Sequence, residues 1–136
     1  MKVRWSRDSL RLRVTPTELA AILGGEAVGE ALCLPGGAAW RVSVRCGAQT
    51  ALVSEENTAH VVLSAADRER LAAPDAEGVY FQTPDGLRYY VEKDFPCAHP
   101  RAAEAWEPAT ETFAAPRGFE GRKEDHKRET ETEHGD

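Results

Sequence analysis

The chain has 136 residues, a length typical of about one domain, and its charges sum to −6 at pH 7. No apolar run approaches the ~18 residues of a membrane helix, and residues 1–8 lack the apolar core of a secretory signal. Three cysteines are too few for a disulfide scaffold and favour a reducing compartment. From these features we expect a small cytoplasmic protein rather than a membrane or secreted one.

The first half of the chain predicts a strand, a helix and a hairpin in that order. Apolar and charged residues alternate over 10–14, as in a half-buried strand. Residues 15–18 (TPTE) then supply an N-cap, a proline at the first helical position and the acid of a capping box. Glycines end this helix at 24–25. A Pro-Gly-Gly turn joins strands at 27–34 and 38–46.

The second half follows the same plan. Aligning Thr15 with Ser64 superposes Glu18 on Asp67, and it superposes the predicted hairpin of the first half on that of the second half. This correspondence indicates a tandem strand–helix–hairpin repeat, although chance recurrence of common building blocks is the alternative. Either way the pattern predicts an α+β fold with two short helices and a mostly antiparallel sheet. The further predicted strands are 1–5, 49–53, 58–63, 78–83 and 87–92.

Composition changes near residue 95. Residues 1–95 are expected to form one α+β domain, and 96–116 are a proline-rich, partly ordered segment. Residues 117–136 are rich in charge and have no apolar side chain beyond Phe119. Such a segment buries too little surface to offset its ordering entropy, so we expect a disordered tail.

Two segments carry a resemblance to other proteins. The opening MKVR with SLRLRVT at 9–15, and VEKDFPC at 91–97 followed by Pro100-Arg101, resemble a family of small uncharacterised bacterial proteins. The resemblance covers about residues 1–101 and implies neither an activity nor a ligand. The long charged tail departs from the family pattern, in which typical members end soon after the cysteine-containing segment.

Basic residues alternate with apolar ones in three predicted strands. If these strands share one sheet, six cations line its solvent face, and like charges facing each other invite an anionic counterpart. The expected binding residues are Arg4, Arg11, Arg13, Arg41 and Arg45, with Lys2 beside them. The alternative is that they are solubilising charges partnered by acids of the same sheet.

A second candidate site lies in the segment of the C-terminal resemblance. Lys93, Cys97 and Arg101 are close together there, and Cys97-Ala98-His99 forms a C-x-H pair. Zinc needs four N or S ligands, usually supplied as two close pairs, so Cys97 and His99 are at most half of a site. Cys33 and Cys46 are more simply explained as small buried hydrophobes.

The function expected from these features is a non-enzymatic binding or adaptor module. Its arginine-rich face would engage an acidic protein or an anionic ligand, and the tail would act as a tether or as an intramolecular competitor. The isoelectric point of about 5.3 argues against general nucleic-acid binding. The alternative is a metal-binding or thiol-dependent protein centred on Cys97 and His99. No strong catalytic motif is present, and the oligomeric state is left open.

Overall fold

A computed structural model describes residues 1–96 and 111–115. The chain divides into two units, 1–94 and 95–136. In the second unit the rings of Phe95 and Phe113 lie 6.0 Å apart. The predictions for 96–116 and 117–136 fall almost wholly outside the described residues.

The elements of the first unit are β1 (Lys2–Ser6), β2 (Ser9–Val14), α1 (Pro16–Leu23), β3 (Val28–Cys33), β4 (Ala39–Cys46), β5 (Ala51–Glu55), β6 (Thr58–Leu63), α2 (Ala65–Ala72), β7 (Gly78–Gln82) and β8 (Arg88–Lys93).

Both helices begin where the capping signals predict. Thr15 Oγ1 accepts from the Glu18 N–H at 3.2 Å, and Glu18 Oε1 accepts from the Thr15 N–H at 3.0 Å, which is a complete capping box. In α2 the Ser64 hydroxyl accepts from the Asp67 N–H at 3.2 Å. Because each cap satisfies backbone donors that have no partner within the helix, it fixes the point at which the chain leaves the preceding strand.

The strands form two mixed sheets of four, in the orders β1-β2-β8-β7 and β3-β4-β6-β5. We call them sheet A and sheet B. Each sheet combines one hairpin from the first half of the chain with one from the second half. The hairpins are antiparallel, whereas β2 pairs with β8, and β4 with β6, in parallel. The α+β prediction is confirmed, and antiparallel pairing predominates as expected.

A shift of 49 residues carries each element of the first half onto one of the second half. The shift superposes Ser9 and Pro16, the first residues of β2 and α1, on Thr58 and Ala65, the first residues of β6 and α2. The registers of the antiparallel hairpins are also conserved by the shift. The described residues therefore form two hairpin–helix–hairpin units that exchange their second hairpins.

The core lies where the inward faces of the strands meet the two helices. Leu12 and Val14 of β2 and their counterparts Val61 and Leu63 of β6 are fully buried. Each such side chain contributes about 1.5–3 kcal/mol of burial free energy. Ile22 of α1 and Leu71 of α2, also related by the shift, are buried too. The remaining buried apolar residues are Leu10, Leu19, Val42, Val44, Val79, Tyr89 and Val91.

The strand expected at 49–53 begins two residues later. Thr50, which precedes β5, hydrogen-bonds through its hydroxyl to the Asp67 carboxylate and accepts from the Ser64 N–H at 3.0 Å. Its side chain therefore joins the cap of α2 rather than the sheet. The shift relates Thr50 to Met1, whose amino group lies 2.7 Å from Glu18 Oε2. In each unit a carboxylate in the first turn of the helix, Glu18 or Asp67, thus binds the residue that precedes the first strand.

Two glycines mark equivalent points of the repeat. A Cβ atom on Gly29 would lie 2.9 Å from the Val42 carbonyl oxygen, and one on Gly78 would lie 2.8 Å from that of Val91. Real Cβ atoms essentially never approach other atoms so closely. The second hairpin of each unit therefore requires glycine at this position because the paired backbone comes close.

We expect Gly29→Ala and Gly78→Ala each to lower the free energy of unfolding by about 1–3 kcal/mol, the usual cost of overpacking. Gly24→Ala is the control, because its added Cβ would lie 3.4 Å from the nearest atom, and it should stay within about 0.5 kcal/mol of the wild type. Denaturant titration measures all three values. Unchanged stability in both hairpin variants would contradict the close approach.

Candidate functional site

The outward face of β1 and β2 carries four cations opposite one another. The strand register places Lys2 directly against Arg13, and Arg4 directly against Arg11. Like charges in directly opposed positions destabilise a sheet. The inward residues of the same strands, such as Leu12, are buried in the core. The alternation therefore holds the four charges on one side, and we call these four residues the basic face.

Two carboxylates from the end of β8 partly compensate the basic face. Glu92 Oε1 lies 3.2 Å from Arg11 Nε, and Glu92 Oε2 lies 3.8 Å from Arg13 Nε, so this carboxylate forms ion pairs with both arginines. Lys2 Nζ lies 2.9 Å from Oδ2 of Asp94, a carboxylate that is only 2% exposed. Four cations against two anions leave an excess of two positive charges. Arg4 forms no ion pair with any residue in the described part of the chain.

β8 and β7 extend this surface with aromatic rings. The guanidinium carbon of Arg11 lies 5.3 Å from the centre of the Tyr90 ring, a cation–π contact. The Tyr80 ring lies 5.3 Å from that of Tyr90. Partial burial, and after it the charges of Glu92 and Glu77, raise the pKa of the Tyr80 phenol to about 12. The four cations of the basic face therefore lie on β1 and β2, and the aromatic rings lie beside them on β7 and β8.

The basic face contains a shallow depression of about 200 Å³. Its lining consists of the four cations and Val3. Arg88 of β8 lies on the same side of sheet A, paired with Ser9, and is exposed. Sequence reasoning missed Arg88 and Tyr90 as members of this surface, because nothing local to β8 shows that it pairs with β2. The signal that could have shown this is the alternation over Arg88–Lys93, which places Arg88, Tyr90 and Glu92 on one side of the strand.

The three basic strands do not share one sheet, so the condition for a face of six cations is not met. Arg41 and Arg45 lie on β4, which belongs to sheet B. After β2 and α1 the chain forms β3 and β4, which belong to sheet B. There β4 pairs with β6. Arg41 and Arg45 point outward there on either side of Ser43, separate from the basic face.

Lys93 does not lie on a surface that could bind a partner. It is 6% exposed, and its ammonium donates to the Ala73 carbonyl at 2.7 Å. Burial lowers the pKa of this ammonium, and Asp75 opposes the effect. Glu92, the preceding residue, points to the opposite face, as the alternation predicts. Arg101, the other basic residue proposed for this segment, lies outside the described residues.

The proposed ligands Cys97 and His99 also lie outside the described residues. Within 1–96 and 111–115, no three His, Cys, Asp or Glu side chains are close enough to hold a metal ion. The prediction that Cys33 is buried is wrong, because β3 is an edge strand and Cys33 is exposed on it. Cys46 is half-buried, and its thiol donates to the Ile22 carbonyl at 3.2 Å.

Sheet B carries a polar row on its outward side that sequence reasoning missed. The Ser43 hydroxyl lies 2.5 Å from His60 Nδ1, and His60 Nε2 lies 3.5 Å from Glu55 Oε2. Serine, histidine and an acid form hydrolytic triads, but such sites also need free N–H donors for the oxyanion. β4 and β6 are central strands whose N–H groups pair with neighbours on both sides. We therefore interpret the row as cross-strand hydrogen bonding within the sheet.

Comparisons with known proteins give a family without a known activity. No curated protein and no solved structure matches the chain. Neither helix in the described part of the chain is long and apolar enough to cross a bilayer. A family model described as "Family of unknown function (DUF7009)" matches residues 1–117. The matched range contains both segments that carried the resemblance, SLRLRVT and VEKDFPC. The chain therefore belongs to this family of unknown function, DUF7009.

Proposed function

We propose that this protein is a non-enzymatic binding module that holds an acidic protein partner on the basic face. The observation that carries the proposal is the register of β1 and β2, which sets Lys2 against Arg13 and Arg4 against Arg11. Each such pair of like charges costs the folded protein roughly 0.2–1 kcal/mol. An arrangement that lowers stability without serving the core is explained if a ligand supplies the missing negative charge.

The chemistry of the face fits carboxylates. Arginine presents a planar fork of N–H donors that binds a carboxylate through two parallel hydrogen bonds. Glu92 already uses Arg11 and Arg13, although one of its two contacts is a long 3.8 Å. Arg4 is left without an ion-pair partner among the described residues. Arg4 is thus the cation best placed to receive a carboxylate from outside.

The cytoplasmic location is part of this proposal. The Cys33 thiol is exposed and Cys46 is also a free thiol. Exposed thiols persist in reducing compartments and are oxidised outside them. The thiols therefore support a cytoplasmic partner.

Replacing Arg4 by threonine should stabilise the protein at low salt. The change removes the repulsion with Arg11 and introduces a residue that favours strands, so we expect a gain of roughly 0.2–1 kcal/mol in unfolding free energy. The gain should shrink in high salt, where charges are screened. Denaturant titrations at low and high salt measure it. Arg41→Thr is the control, because Arg41 faces Ala31 and Thr58. A salt-independent loss in Arg4→Thr would contradict the repulsion.

Binding of an anionic polypeptide tests the function directly. Fluorescence anisotropy with labelled polyglutamate and the full chain should show binding that weakens with salt. The variant Arg4→Gln/Arg11→Gln should raise Kd roughly tenfold, about 1.4 kcal/mol. Arg41→Gln/Arg45→Gln is the matched control, since it removes the same charge from the other sheet. Equal losses in the two double variants, or no binding to the wild type, would refute the proposal.

A further inference from the structure

A second surface feature adjoins the basic face. A groove of about 380 Å³ runs between β1 and β3, which are the edge strands of sheets A and B. Trp5 and Trp40 meet edge-on in it, with ring centres 4.6 Å apart. Trp5 is 56% exposed and Leu32 is 49% exposed. The rest of the lining is Met1, Val3, Glu30, Ala31 and Val42.

The repeat shows that this groove is not a general consequence of the fold. The shift of 49 residues relates Trp5 to Ser54, and Glu30 to Val79. Val79 is 3% exposed, whereas the Glu30 side chain is 48% exposed. The second unit therefore buries the counterpart of Glu30, and it has a small polar residue where the first has an exposed tryptophan. Exposed apolar surface of this kind marks interaction sites.

The groove is bordered by strand edges that can accept another strand. Among the residues that the structure describes, β1 and β3 each have a neighbouring strand on one side only, so every second residue of these strands has an N–H and a C=O without a sheet partner there. Charge distinguishes the two edges. The outward residues of β1 include Lys2 and Arg4, whereas those of β3 are Gly29, Ala31 and Cys33. An acidic strand would therefore prefer β1.

We infer that the partner binds as an extended strand that pairs with the free edge of β1 and has alternating acidic and apolar side chains. This inference rests on the proposed function and specifies its partner. Side chains of a paired strand alternate between the two sides of the sheet. On the outward side they meet Lys2 and Arg4, which select carboxylates. On the inward side they meet Val3 and Trp5, and there apolar side chains fill the groove.

Two other occupants fit this surface less well. The chain's own sequence beyond Phe119 has no apolar side chain to place in the groove. A second copy could pair β1 with β1, but pairing would bring Lys2 and Arg4 of one copy against the same cations of the other. Like charges opposed across strands disfavour that dimer. Charge complementarity with β1 thus favours a segment of a different protein over the charged tail and over a second copy.

A set of labelled peptides tests the inference on the full chain. One peptide alternates Glu and Val, one has the same composition in two blocks, and the third is polyglutamate. We expect the alternating peptide to bind at least roughly tenfold more tightly than the other two, because only its pattern places charge and apolar surface on opposite sides of one strand. It should also slow hydrogen exchange of β1 amides and leave those of β7 unchanged.

Variants locate the binding. Trp5→Ser introduces the residue that the second unit carries at this position, so the fold should tolerate the change. We expect this variant to lose most of the difference in Kd between the alternating peptide and the other two peptides. Tyr80→Ser is the matched control, because Tyr80 is an exposed aromatic residue on the opposite edge strand of sheet A.

The possible outcomes distinguish this inference from the proposed function. If polyglutamate binds in the salt-dependent way above but the alternating peptide binds no more tightly than the others, the inference fails and the proposed function stands. If the alternating peptide binds equally well to Arg4→Gln/Arg11→Gln, both fail. A stable dimer without peptide would overturn the choice of partner.

Discussion

The parallel pairing of β2 with β8, and of β4 with β6, is the interaction on which the rest of the structure depends. Each pairing joins a strand from the first half of the chain to one from the second. Without it each half would consist of two isolated hairpins and a helix, and isolated hairpins are marginal in water. With it, the fully buried residues Leu12, Val61 and Val91 come to lie within two four-stranded sheets. The two halves therefore depend on each other for their cores.

The exchange of hairpins between the two units also determines which residues share a surface. Because β8 joins β2, Glu92 reaches Arg11 and Arg13 from about eighty positions away in the sequence. Because β4 joins β6 instead, Arg41 and Arg45 are carried to the other sheet. The basic face is thus smaller than the charge pattern suggested, but it is more concentrated, since its four cations occupy two directly opposed pairs.

The two units keep the same backbone plan and differ in what they present to solvent. Gly29 and Gly78 preserve a close approach that any side chain would disturb, and the helix caps preserve the exit from each preceding strand. On this shared frame, the first unit has Arg4 and Trp5 where the second has Val53 and Ser54. Charge and exposed aromatic surface therefore accumulate at one end of the repeat, next to the free edge of β1.

Local signals in the sequence determined the elements, and the tertiary structure decided how they were assembled. Caps, turns and alternation located both helices and nearly every strand, because these are interactions between residues within a few positions of each other. The partner of each central strand could not be read from the sequence, since parallel pairing between distant segments leaves no local trace. The grouping of the arginines, the burial of Lys93 and the exposure of Cys33 all follow from that pairing and from which strands it leaves at the edges.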